Sequence, residues 1–462
     1  MKIMRLLKNL QLFLCPAKIV CDRSQELGEM DRIISAADGM REVLARILLE
    51  VNDGANKNTG RDGVTAEQIL KLGILRKRHN QSYRELSEAS LDSLSMRQFL
   101  NLAPGCGLSK SAIHRNLKKV SDATWEKANS CLIQYALANG YENGAAVRGD
   151  TTSVETNIHY PTDANLMNDV VRVLCRKMCE ARNLIGESGA EFIDHRRRAK
   201  SKLFTINNAR GEAKKRPQYL ELIRVTRSTI DDAKLVLSAL ISFSSTDIFL
   251  ECLVEEVRKE LKNYIPLAEI VHSQAYRRVV KKEAVDASEK IVSIFEEHTD
   301  IIVKGHRDVV FGHKIMLTTG ASGMLLTLKT IEGNPKDSTL VPGVLNDLSA
   351  LLGQMPEALA FDGCFASTAN RNLAKKAGVQ ELTFSKNGSL DLSTLVSSSK
   401  MNRVLRNFRA GIEGCISFFK RCFQVSRIVD RTKESFRAAL QLSGFAYNLT
   451  LLARMSLARA AG

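Results

Sequence analysis

The ten cysteines of the chain include no Cys-x-x-Cys pair, and only Cys175 and Cys179 stand at helical i, i+4 spacing, with no histidine pair near them. That pattern argues against a structural zinc site and a disulfide framework and points to reduced thiols. The N-terminal apolar run, Leu10 to Cys15, is too short to span a bilayer, is broken by Pro16 and has no persuasive cleavage site, so no membrane partner is expected. There is a single Trp, and no stretch is of low complexity, which sets disorder aside as the main character of the chain. Acidic side chains are in short supply: 51 stand against 67 Lys and Arg, a net charge of +16.

The remaining composition is that of a globular protein, 44% hydrophobic and 26% charged, and 462 residues suffice for two or three domains. The basic excess is clustered. Residues 400–462 carry twelve Lys and Arg against three acids, and residues 172–227 carry fifteen against six. Clusters of one sign favour a polyanionic partner.

Residues 24–140 read as helical, with breaks at Gly54 to Gly63 and at Pro104 to Gly107. Thr65 and Gln68 form a capping-box start, followed by Ile69, Leu72 and Leu75 at helical spacing. Farther on, Ser109 or Ser111 can cap a helix whose Lys110, His114, Arg115, Lys118 and Lys119 oppose Ile113, Leu117 and Val120. A DNA-reading helix has this face, and so does an ordinary amphipathic surface helix; the residues alone leave both open. Trp125 reads as a core anchor.

The period changes at Gly144, where AAVRGDTTSVETNI reads as a strand with Asp150 at its polar end. Residues 161–288 return to helical text. FGHKIMLTT and MLLTLKTIEG, joined by Gly320 to Gly323, predict an antiparallel hairpin. A helix over Asp337 to Leu352, the strand ALAF ending in Asp362, a helix over Ser367 to Ala377, the strand VQELTF and a basic helix over Asn407 to Arg427 follow. Without the long helical insertion, this mixed α/β order is that expected of a ribonuclease H-like core. There, the ends of the first and fourth strands are neighbours and the last helix packs beside them, which brings together Asp150, Asp362 and Glu413.

Three converging carboxylates need cations between them, and hard oxygen ligands favour Mg²⁺ or Mn²⁺, here two ions, for in-line displacement at phosphorus. Each acid alone has a plainer reading: an Asp at a strand end as a turn cap, and Glu413 as the i, i+4 partner of Arg409. Their joint placement carries the argument.

The sequence resembles DDE transposases of bacterial insertion sequences, most closely the ISNCY type. The resemblance is carried by GDTTSVETNIHYPTD from Gly149, by FGHKIML, the SG turn and GNPKDS from Gly333, by AFDGCFAS from Ala360 and by FRAGIEGCISFFKR from Phe408, with GRDGVTAEQILKLGILRKRHNQSYRELSEASLDSLSMRQF upstream. It implies a helical DNA-binding region over 1–140, a catalytic domain over 141–435 interrupted by a helical insertion over 164–298, and a C-terminal helix over 436–462. Asp150, Asp362 and Glu413 become the catalytic, metal-binding triad for cleavage at transposon terminal repeats and joining to target DNA. Arg409 and Lys420 match the Arg and Lys of the related Y-R-E-K signature, which grip transposon-end phosphates, and Arg406 stands in place of the Tyr. Lys110, His114, Arg115 and Lys118 are the DNA-facing candidates upstream, and His159 lies near them in role as a possible DNA neighbour, whereas His306 and His313 read as structural or surface residues. Gly149 stands where a β-branched residue is commoner. The implied protein is a homo-oligomer on DNA in the bacterial cytoplasm, associated with the nucleoid. The alternatives are a domesticated sequence-specific DNA-binding protein on an idle scaffold of the same fold and a general nuclease.

Overall fold

The computed structural model describes residues 22–53, 63–103, 105–186, 191–304, 308–385 and 390–462. The run from Leu10 to Cys15, most of the break between Gly54 and Gly63, Pro104 and His306 lie outside them. The chain divides into two compact units, residues 1–157 with 302–462, and residues 158–301.

The first unit opens with helices α1 (Asp22–Ala36), α2 (Met40–Asn52), α3 (Ala66–Arg78), α4 (Tyr83–Asp92), α5 (Leu94–Phe99), α6 (Lys110–Lys119) and α7 (Asp122–Ala138). The Thr65–Gln68 capping box starts α3, with Thr65 Oγ1 accepting from the Gln68 amide at 3.2 Å and Gln68 Oε1 from the Thr65 amide at 3.1 Å. Ser109, not Ser111, caps α6. Strand β1 (Ala146–Glu155) follows. The second unit is built from α8 (Asp163–Ile185), α9 (Arg196–Asn208), α10 (Glu212–Ser242) and α11 (Ile248–Val279), around a core that includes Val170, Leu174, Met178, Leu222, Ile230 and Leu261.

The chain then supplies β2 (Asp300–Lys304), β3 (Asp308–Thr319), β4 (Leu325–Ile331), α12 (Val341–Leu352), β5 (Ala358–Phe361), α13 (Thr368–Lys376), β6 (Glu381–Phe384), α14 (Ser399–Cys422) and α15 (Lys433–Ala461). They form one mixed sheet in the order β2-β3-β1-β5-β6, with β4 also on β3. β1 is antiparallel to β3 and parallel to β5, and β5 is parallel to β6. β2 is an additional strand beyond the hairpin, and the helix expected from Asp337 begins with a 3-10 turn before α12.

Two expectations need correction. Asp150 does not end β1: the strand runs on to Glu155 because β3 pairs with it from Arg148 to Glu155. What ends there is the parallel pairing with β5, whose last pair is Gly149 with Phe361, so Asp150 and Asp362 both lie one residue beyond it. The basic helix stops at Cys422 rather than Arg427. Gln424 takes a left-handed backbone, φ 58°, and Ser426 to Ile428 turn back to bond Glu155, its amide donating to the Ser426 carbonyl and its carbonyl accepting from the Ile428 amide.

Sheet alternation sorts the side chains. On one face, Ile315 and Leu317 of β3 pack with Ile412 and Phe419 of α14 and Phe436 and Leu440 of α15. On the other, Val147, Met316, Leu359 and Phe361 join the core of the N-terminal helices. Gly149 belongs to this second face. A Cβ there would come within 2.5 Å of Phe361 Cε1 and 2.9 Å of Met316 Cε, which explains why a β-branched residue is absent.

Apolar and small residues surround α15, so it is buried on most sides, as such a helix must be. Its Asn448 donates to Asn129 of α7 and to the Leu325 carbonyl, and accepts from the Leu325 amide, all at 2.7–2.8 Å. Trp125 of α7 is buried against Phe445. Among the described residues, no helix is long and apolar enough to cross a membrane.

Candidate active site

Period-2 alternation places Arg148 and Asp150 of β1 on the same face as Asp362, which follows β5. α14 crosses this face. Leu405, Ile412 and Phe419, seven residues apart, form its buried stripe, and Arg409 and Glu413, one turn apart on the helix, flank Ile412 in sequence. Arg148 fixes the helix to the strand: its Nη1 donates to the Phe408 carbonyl at 2.6 Å, its Nε to Thr319 Oγ1 at 2.9 Å, and its guanidinium lies 4.6 Å from the Phe408 ring centroid.

One guanidinium gathers the three acids. Arg409 Nη2 lies 2.9 Å from Asp150 Oδ2 and 3.5 Å from Asp362 Oδ1, and Nη1 lies 3.1 Å from Glu413 Oε1. The Asp150 and Arg409 side chains are 15% exposed, Asp362 37% and Glu413 69%, so the cluster grades from buried to open. Glu413 therefore is the i, i+4 partner of Arg409, whose guanidinium also meets the two aspartates. Asp362 is no turn cap: a 3-10 turn, Gly363–Phe365, follows it without a side-chain cap bond. Its Oδ1 instead accepts from Ser385, whose Oγ also accepts from the Gly363 amide at 3.0 Å.

Burial pushes the Asp150 carboxyl above its usual range. The Thr151 amide, 2.8 Å from Oδ1, and Arg409 pull it down, while the charge of Asp362 adds to the rise. One guanidinium against three carboxylates leaves a deficit of two positive charges when all are ionised.

No family model, no curated protein and no solved structure matches the chain.

The other candidates fall in several places. Lys420 is turned to the strand, its Nζ donating to the Ser153 carbonyl at 2.5 Å, and Arg406 is exposed on α14. Lys110, His114, Arg115 and Lys118 form the exposed face of α6, away from Ile113 and Leu117. His114 also sets its ring edge-on to Tyr83 at 4.9 Å. Lys119 is different, because its Nζ bonds the carbonyls of Val51 and Asp53 at the end of α2. His159 lies 3.4 Å from Asp169, and His313 is buried against Phe436.

Sequence reasoning passed over Arg148 and Asp337. Asp337 accepts from Thr151 Oγ1 at 3.2 Å and from Lys314 Nζ at 2.9 Å, a contact from the opposite side of β1 that steadies the strand beside Asp150. The signals were present: an Arg two residues before Asp150, and an Asp within GNPKDS. The Cys364 thiol is held above its usual range, first by desolvation and then by Asp362, Asp337 and Asp150.

Three carboxylates and no sulfur or imidazole make a donor set suited to a hard divalent cation, and the charge deficit is of the right size. In the geometry described, the acids converge on Arg409 rather than on one another. Among the described residues, no group of three or more His, Cys, Asp or Glu closes into a metal-ligating set.

The raised Asp150 carboxyl gives a test in the absence of divalent ions. A folded carboxyl that titrates above its unfolded range holds its proton longer, so its ionised form costs stability that is absent at lower pH and fully present above the folded range. Asp150→Asn is therefore expected to leave the melting temperature at pH 7 to 8 in EDTA unchanged or raised. A clear fall in thermal unfolding midpoint would count against burial as the dominant influence on this group.

Proposed function

We propose that the chain is a DNA transposase of the DDE type, a metal-dependent enzyme that cleaves transposon ends and joins them to target DNA. The observation that carries this reading is the convergence of Asp150, Asp362 and Glu413 on a single guanidinium, at the junction of a parallel strand pair and a basic helix. The strand order supports a ribonuclease H-like core: three antiparallel strands, β4, β3 and β1, continued by the parallel pair β5 and β6.

Asp150, Asp362 and Glu413 would hold Mg²⁺ or Mn²⁺, which supplies an activated oxygen nucleophile and stabilises the leaving oxygen. Asp150 and Asp362 are positioned by the sheet, and Ser385 orients the Asp362 carboxylate. Glu413, on the open side, completes the set as DNA arrives. Arg409 offsets one of the three negative charges before that and would then turn its guanidinium to the phosphates of the DNA end. Arg406 and the exposed face of α6 attract the DNA backbone in a salt-dependent way. Two DNA ends must be brought together, so the working form is an oligomer.

Purified protein with Mg²⁺, given DNA that carries the repeats flanking its gene, is expected to nick the repeat ends and join them to a target. Tight binding without cutting would instead favour a DNA-binding protein on an idle scaffold. Equal cutting of DNA without repeats would favour a general nuclease.

A further inference from the structure

A cavity of about 480 Å³ lies between the α3–α4 turn and the end of α14, lined by Arg76, Lys77, Gln81, Lys420, Arg421 and Arg427 among others. Its acids are Glu85 and Asp430, and both are engaged. Glu85 accepts from the Ser82 amide at 2.7 Å, while Asp430 accepts from Arg76 Nη2 at 3.3 Å and from the Tyr83 hydroxyl at 3.2 Å. Four permanently charged bases, Arg76, Lys420, Arg421 and Arg427, together with Lys77, against two engaged acids give the cavity a net positive lining.

Lys77 is the unusual member. It is 1% exposed, lines the cavity and makes no side-chain hydrogen bond or ion pair among the described residues. Arg76 Nε is also buried without a hydrogen-bond partner there, as is Gln81 Oε1, where the reverse amide orientation would present the donor NH₂ instead. Burial of an ammonium without a partner is costly unless an anion answers it.

We infer that this cavity is a phosphate site, in which Lys77, Arg76 and Arg421 hold one backbone phosphate of DNA outside the carboxylate cluster. Tetrahedral oxyanions suit a cavity with donors on several walls and no available acid. DNA rather than a small free anion is favoured by position: Lys420 is seven residues beyond Glu413 on α14, about 10 Å along the helix, so one polyanion reaches both. The cavity itself does not depend on the transposase reading; the choice of DNA does.

Burial, then the charge of Arg76, lowers the Lys77 ammonium to about 7, with Asp430 opposing. An anion restores the proton. The charged groups that line the cavity with Lys77 are Arg76 on α3, Glu85 on α4, Lys420 and Arg421 on α14, and Arg427 and Asp430 after it, of which Arg76 and Asp430 act on its charge.

The test uses the full chain and sodium sulfate, a phosphate mimic that does not titrate near neutral pH, followed by calorimetry at constant ionic strength. Wild type is expected to bind sulfate, and more weakly at pH 8.5 than at pH 6. Lys77→Met should lose about tenfold or more of that affinity together with most of the pH dependence, and the exposed-side variant Arg421→Gln several-fold. A short DNA duplex should compete with sulfate, and Lys77→Met should bind DNA with a salt slope smaller by about one. No sulfate binding by wild type, or binding by both variants equal to that of wild type, overturns the site. Sulfate binding that DNA does not displace overturns the assignment to DNA. Neither result bears on whether the protein nicks repeat-bearing DNA in Mg²⁺, so failure of the cavity and failure of the enzyme reading remain distinguishable.

Discussion

Asp362→Asn is expected to slow Mg²⁺-supported DNA cleavage by about a thousandfold or more while DNA binding stays within about twofold. Loss of a catalytic cation's ligand removes several kcal/mol of transition-state stabilisation, and each ~1.4 kcal/mol is a factor of ten. The fold should survive, because Asn keeps an oxygen for Ser385 and the side chain is 37% exposed. Cleavage rates on end-containing DNA beside a binding titration separate the two effects. Cleavage at the wild-type rate would remove Asp362 from the site, and parallel loss of binding and cleavage would indicate damage to the fold.

Gly312→Ala is expected to have the largest structural effect of any single methyl group near the site. Gly312 is paired with Glu155 at the far end of the β1–β3 ladder, and a Cβ there would stand 1.9 Å from the Val154 carbonyl oxygen. Backbone is what it meets, so no side chain can turn aside and the strands must separate. Overpacking of this kind costs about 3 kcal/mol or more, and the ladder that opens is the one holding Asp150 opposite Leu317. Urea unfolding should show a lower midpoint, with cleavage reduced in the fraction that remains folded. A wild-type midpoint would mean that β1 and β3 are farther apart at Gly312 than described.

The parts of this arrangement visible in the sequence were those specified locally. ALAF is a short apolar run that stops at Asp362, and β5 stops there because the next residue is charged and faces α14. The hairpin of β3 and β4, the Thr65 cap and the Ile113–Leu117 face of α6 follow equally from pattern. Long-range pairing decided the rest. Asp150 is mid-strand because β3 is longer than β5, and neither the alternation nor the polar residues of DTTSVE report a partner's length. The end of α14 depends on Gln424 accepting a left-handed backbone so that Ser426 to Ile428 can bond Glu155, a contact between residues far apart in sequence. Residues of α15 gave a helix but not its burial against α7, which rests on small side chains and the Asn448–Asn129 pair. Arg409 carried a DNA-gripping role by resemblance, whereas its distances give it an additional one, as the cation among the three carboxylates.

That double role bears on how the site is charged before DNA binds. A guanidinium at 2.9 Å offsets part of the cost of keeping Asp150 ionised and buried, and it is displaced only by something that serves the carboxylates better. In the proposed mechanism, divalent ions would do so.

Direct contact between one of these carboxylates and the catalytic ion is the central claim, and a metal-preference switch tests it. Asp362→Cys replaces a hard oxygen ligand by sulfur, which Mg²⁺ binds poorly and Mn²⁺ binds better. Cleavage of end-containing DNA by this variant should be lost in Mg²⁺ and recover by about tenfold or more in Mn²⁺, relative to wild type in the same ion. Equal loss in both ions, or full activity in Mg²⁺, would contradict Asp362 as a ligand of the catalytic metal.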